Sequence, residues 1–140
     1  MEALLVAREL PLDGLEEHLD KFWVADADGT VVGTGGLEVH GRFGLLRSLA
    51  VAEGSEGAGI GSRIVWQLLE EAVDKGLREV FLLSAYASDY FPRFGFVRLK
   101  RREVPADVQA SALFQACPDT AVAMRWSPTA SGVYEPPSVI

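Results

Sequence analysis

The chain has 140 residues, 49% hydrophobic and 24% charged, which fits one domain with a sizeable core. Twenty acids against thirteen bases leave a net charge of -7, an argument against nucleic acid, whose phosphates select a clustered basic surface. Cys117 is the sole cysteine, excluding an internal disulfide or a cysteine-rich metal site, and no run approaches the roughly 18 apolar residues of a membrane span.

Residues 2–10, EALLVAREL, combine good helix formers with Leu4, Leu5 and Val6, and Pro11 ends them. Asp13 can cap a second short helix, GLEEHLDK, with Leu15 and Leu19 on one face; His18 within it reads as surface. The period then changes. FWVADADGTVVGTGGLEVH reads as two strands around a turn at Asp28-Gly29, with Glu38 and His40 on one face and Leu37 and Val39 on the other. FGLLRSLAV, Phe43 to Val51, is the next strand. Strict alternation puts Leu45, Arg47, Leu49 and Val51 on one face and Leu46, Ser48 and Ala50 on the other.

A glycine-studded turn leads into a long helix whose apolar rows are Ile64, Leu68, Ala72 and Val65, Leu69, Val73. Lys75 and Gly76 close it. EVFLLSA is a nearly all-apolar strand, as the middle of a covered sheet requires. A short helix around ASDYFPRF, a strand GFVRLK, one helix over PADVQASALFQA opening at Pro105, and a strand AVAMRW follow. The basic run RLKRRE, Arg98 to Glu103, reads as a solvated strand end. This order predicts an α+β, or mixed α/β, sheet with helices on its faces. The domain is expected over residues 1–126, and the Pro/Ser/Gly-rich residues 127–140 as a flexible tail.

The turn itself asks for an anion. A mononucleotide phosphate loop needs Lys-Ser/Thr where Ile60-Gly61 stands, after Gly54 and Gly59. A dinucleotide fingerprint needs a third glycine where Arg63-Ile64 stands, and a parallel unit where a hairpin stands. A backbone phosphate cradle and a glycine-rich strand–helix turn with no ligand both stay open. Gly57, Gly59 and Gly61 let the main chain come close to a phosphate, and the N–H groups of Gly57, Ala58, Gly59, Ile60, Gly61 and Ser62 can point at it, backed by the helix dipole.

Glu56 to Gly61 match, at the glycines, the pattern Q/R-x-x-G-x-G/A, and DYFPRFGF, Asp89 to Phe96, is similar to an FYxxxGF segment. With the Leu49 and Val51 strand end before the turn and the long helix after it, the chain resembles the GNAT superfamily of acetyltransferases over roughly residues 3–126. LLRSLAV, YFPRFGFVRL and PADVQASALFQACPDTAVAM resemble, more narrowly, the arsenic-resistance (ArsN-type) N-acetyltransferases and their amino-acid N-acetyltransferase relatives.

The resemblance implies acetyl-CoA as co-substrate and no metal. It places the coenzyme between the FGLLRSLAV and EVFLLSA strands, with its arm on main chain at Leu49, Ala50 and Val51 and its diphosphate at residues 57–62. It also implies direct attack of an amine on the thioester, a reaction that leans on positioning. Where the superfamily has Arg or Gln this chain has Glu56, which either turns to solvent or weakens coenzyme binding. The superfamily draws the acid for the leaving thiolate from the tyrosine of FYxxxGF. Phe91 fills that slot here; Tyr90, one residue earlier, is either the candidate acid or a packing tyrosine with a polar tip, and Tyr86 is in reserve. Members open with a strand before their first helix; its absence here exposes a sheet edge by the hairpin and predicts a homodimer.

Two functions follow. The first is an acetyl-CoA-dependent N-acetyltransferase acting on a small amino-acid-like amine. Arg47 then meets either the substrate carboxylate or a protein acid. Glu38 accepts from Arg47, holds the amine, serves as base through water, or lies with His40 on a solvated face. The second is a degenerate member that binds acyl-CoA or a protein without turnover, suggested by Glu56, Phe91 and the missing strand. Cys117 reads as packing, because one thiolate cannot build a multidentate arsenic site. A lone thiol and an N-terminus unlike a signal peptide make the cytoplasm the expected compartment.

Overall fold

Where the hydrophobic period shifts from two to 3.6, the backbone shifts from sheet to helix. The computed structural model describes residues 2–7, 12–13, 22–27, 29–55, 59–85 and 88–128. In chain order these form α1 (Glu2–Ala7), β1 (Phe22–Ala27), β2 (Thr30–His40), β3 (Phe43–Val51), α2 (Ile60–Asp74), β4 (Glu79–Ser84), a 3-10 turn (Phe91–Phe94), β5 (Val97–Leu99), a second such turn (Arg101–Glu103), α3 (Ala106–Gln109), α4 (Ala112–Ala116) and β6 (Val122–Trp126). The strands make one sheet in the order β1-β2-β3-β4-β6-β5. All neighbours run antiparallel except β3 and β4. This is the mixed α/β sheet that the sequence predicts. The proposed helix GLEEHLDK, with His18, and residues 129–140 of the tail lie outside the described residues.

The parallel pair is short. Phe43, Gly44 and Leu45 pair with Glu79, Val80 and Phe81, whereas β3 continues to Val51 and β4 to Ser84. Beyond Leu45 the ladder between them ends. On its other side β4 stays paired to β6 as far as Ser84 with Val122.

Helix α2 covers one face. Ile64, Val65, Leu68, Leu69 and Ala72 are buried against Leu37, Leu46, Val80, Leu82, Met124 and Trp126, each large side chain contributing about 1.5–3 kcal/mol. The helix lies close because β2 has no side chain at Gly35, where an added Cβ would sit 2.5 Å from Ile64 Cγ2. Val73, expected in the buried row, is 38% exposed, while Ala72 beside it is buried. On the opposite face Leu45, Phe81 and Ala123 pack against Val108, Leu113 and Phe114, and Leu5 of α1 packs with Phe22 and Ala50.

Two other expectations are corrected. PADVQASALFQA is two short helices, because Ser111 is extended (φ -60, ψ 136) and spends its hydroxyl on Glu38. RLKRRE is more than a solvated strand end. Arg101 turns back onto α4, whose last carbonyls lack intrahelical partners. It donates to Phe114 O (2.7 Å), Cys117 O (3.0 Å) and Pro118 O (2.6 Å), with its guanidinium 4.8 Å from the Phe114 ring centroid. Arg101→Ala should therefore cost about 1–3 kcal/mol in urea unfolding. Arg101→Lys should recover less than half, since an ammonium cannot fork across three carbonyls; an unchanged midpoint in both variants would show that the cap contributes nothing.

Candidate active site

β3 carries the site, and it is not a regular strand. Thr34 pairs with Ala50 and Gly36 with Arg47, so Ser48 and Leu49 together face Gly35 alone. Ser48 takes φ 59 to accommodate the extra residue, a bulge that reverses every side chain after it. Arg47 stays with Leu45 on the α3–α4 face, where it meets Glu38 and Phe22. Leu49 turns to the α2 face, Val51 touches Gly61, and Ala50 joins Leu5. The expectation that Arg47, Leu49 and Val51 share one face fails for this reason.

Arg47 and Glu38 form a buried ion pair. Their side chains are 0% and 1% exposed, and Arg47 Nη1 lies 2.7 Å from Glu38 Oε2. Arg47 also donates from Nη1 to Asp13 O (2.6 Å) and from Nε to Ser48 Oγ (2.9 Å). Glu38 Oε1 accepts from Ser111 Oγ at 2.6 Å and lies 2.7 Å from His40 Nε2. Glu38 is therefore no part of a solvated face; His40, with a 19% exposed side chain, is where this network reaches the surface. Ser111 was not among the candidate residues. Nothing in the sequence around it points 73 residues back to Glu38, though a serine at a small break between two helical runs was a signal to read.

At the far end of β3, Gly59 caps α2 in the left-handed region (φ 78, ψ 11) and offers no side chain to the helix N-terminus. The first helical bond runs from Arg63 N to Gly59 O, so the N–H groups of Ile60, Gly61 and Ser62 have no partner within the helix. Gly61 serves spacing rather than φ. A Cβ there would meet Tyr90 Oη at 3.0 Å and Val51 Cγ2 at 3.4 Å. Glu56, Gly57 and Ala58 lie outside the described residues, as does Tyr86.

Tyr90 and Phe91 diverge. Phe91 is buried in the α2-side core, while the Tyr90 hydroxyl is 3.1 Å from Ser62 Oγ. Cys117 packs beside the α3–α4 cluster, and burial pushes its thiol up from the ordinary value, against the pull of Arg101 and Arg47. Among the described residues no group of His, Cys, Asp and Glu is placed to hold a metal, and no helix is long and apolar enough to cross a membrane.

A buried charge left alone costs far more than its pair gives. Glu38→Ala should lose about 3–5 kcal/mol in denaturant unfolding, while Glu38→Leu combined with Arg47→Met should recover most of it. A double variant as unstable as the single would show that the pair itself, not the orphaned guanidinium, sets the cost.

The model of the acetyltransferase (GNAT) family matches residues 4–96. An amino-acid acetyltransferase of Mycobacterium tuberculosis is 40% identical over 98 residues, 67% of this chain and 56% of that protein, so the chain spans little more than half of that relative. Among solved structures, a Mycobacterium tuberculosis protein in complex with CoA superimposes with a TM-score of 0.71 at 27% identity, over 89% of this chain and 90% of that one. N-acetylglutamate synthase from Neisseria gonorrhoeae, complexed with coenzyme A and N-acetyl-glutamate, reaches a TM-score of 0.76 at 22% identity, over 89% of this chain and 31% of that one, a likeness of fold. With the family model covering most of the chain and the sheet, the parted strands and the glycine-capped helix in place, the chain belongs to the acetyltransferase (GNAT) family.

Proposed function

We propose that the chain is an acetyl-CoA-dependent N-acetyltransferase that acts on the amine of a small amino-acid-like substrate. The observation that carries this reading is the parting of β3 from β4 beyond Leu45 and Phe81, next to a helix capped by Gly59, which has no side chain to bond its first N–H groups. Parted strands no longer satisfy one another's facing N–H and C=O groups, and the pantetheine arm of acetyl-CoA is itself a chain of amides. Leu49, Ala50 and Val51 lie along this opening, and Gly59 to Ser62 lie at its end. In this reading Gly57 and Ala58 extend the anion mouth. Coenzyme A supplies the acetyl group as a thioester. The amine nitrogen forms the new bond to the carbonyl carbon, the carbon–sulfur bond breaks, and the amine gives up a proton.

Arg47 and Glu38 act here as a buried support for the bulge, because their charges are matched to one another away from solvent. Names of the relatives favour the amino-acid side of the expected branch over its arsenic-resistance side. The homodimer expectation rests on the outer edge of β1, where Trp23 is 41% and Val24 51% exposed.

Free thiol released from acetyl-CoA over a panel of proteinogenic amino acids tests the proposal. Turnover on the order of 1 per second or faster with at least one of them is expected. Binding of acetyl-CoA without turnover on any amine would instead favour the degenerate reading, and no binding at millimolar ligand would end both.

A further inference from the structure

We propose that Tyr90 is a positioning residue for the phosphate end of the coenzyme, and that this tyrosine does not protonate the leaving thiolate. The inference rests on the acetyl-CoA reading above and assigns a place within that site. Tyr90 stands immediately before the 3-10 turn Phe91–Phe94. Its hydroxyl reaches the first turn of α2, 3.1 Å from Ser62 Oγ and 3.0 Å from the point where a Cβ on Gly61 would sit.

The ring is held from several sides. The Arg93 guanidinium lies 4.3 Å from its centroid, and Arg93 Nε donates to Tyr90 O at 2.8 Å, which fixes cation and ring together. Phe91 and Phe94 meet it edge-on, each with its centroid 5.4 Å away. The turn in its place is tied to β6 by Trp126 Nε1 donating to Phe94 O at 3.0 Å in the buried core. Swinging the hydroxyl elsewhere would break these contacts together.

The chemistry of the pair fits an anion. Two hydroxyls that share one hydrogen bond retain one O–H between them, a donor available beside the N–H groups of Gly61 and Ser62. Arg93 adds a positive charge one ring away from the same mouth. Phe91, at the position next along, is buried and has no proton to give. This segment is thus built to hold phosphate.

Tyr90→Phe, Ser62→Ala and the double variant separate the possibilities, read by calorimetric binding of coenzyme A and by steady-state kinetics with the best amine of the panel. Each single change should weaken coenzyme binding and raise KM for acetyl-CoA by about three- to tenfold, with kcat and the alkaline limb of its pH profile unchanged. The double variant should be weaker than either single one, because each single change leaves one O–H at the mouth and the double leaves none. Gly61→Ala, which pushes a methyl at the hydroxyl and removes no polar group, should weaken coenzyme binding as well. A Tyr90→Phe enzyme with kcat reduced a hundredfold or more and KM unchanged would overturn the proposal by making Tyr90 the acid, as would coenzyme binding equal to wild type. A wild type that binds no coenzyme A would overturn the acetyl-CoA reading and this inference together.

Discussion

One extra residue in β3 sets the character of the molecule. Ser48 at φ 59 lets a single strand present Arg47 to one side of the sheet and Leu49 and Val51 to the other. Such a backbone costs about 1–3 kcal/mol where the residue is not glycine. It persists because neighbouring bonds fix it: Arg47 Nε holds Ser48 Oγ while Arg47 Nη1 holds Glu38 and the Asp13 carbonyl. The ion pair is poor evidence of stability for its own sake. Its place in the structure is beside the bulge, which Arg47 contacts through Ser48.

The bulge and the parting of the sheet belong to the same stretch of chain. β3 pairs with β4 only up to Leu45, and the bulge follows within three residues. From there the strand stays laddered to β2 and no longer to β4, and its end lies beside Gly61 at the mouth of α2. Sheet opening, helix mouth and the Tyr90 hydroxyl therefore meet in one place. A chain that positions its partners through backbone needs few indispensable side chains, which agrees with a glycine cap in place of a cation at the head of α2.

Much of this was legible in the sequence, and for local reasons. The rows of α2, its closing Gly76 and the apolar β4 follow from period and caps that neighbours in sequence determine. Arg47 and Glu38 could be named as partners because both are charged residues on strands. What failed was non-local. Alternation assigns faces only to a regular strand, and no residue in LLRSLAV announces a bulge as a glycine would have done. The break at Ser111 answers to Glu38, far away in the chain, and Arg101 looks solvated until α4 is folded beneath it. Tyr90 shows the same limit: the resemblance made it a candidate acid, but only packing against Phe91, Phe94 and Arg93 turns its hydroxyl to Ser62.

The central claim is that β3 beyond Leu45, where its ladder to β4 ends, is the coenzyme's binding edge. Amide hydrogen exchange, followed residue by residue with and without acetyl-CoA, tests it most directly. Amides within Leu46–Val51 and at Ile60–Ser62 should slow on adding acetyl-CoA, with Phe43–Leu45, already paired to β4, unaffected. Slowing confined to other elements, or none along Leu46–Val51 at saturating acetyl-CoA, would contradict the account.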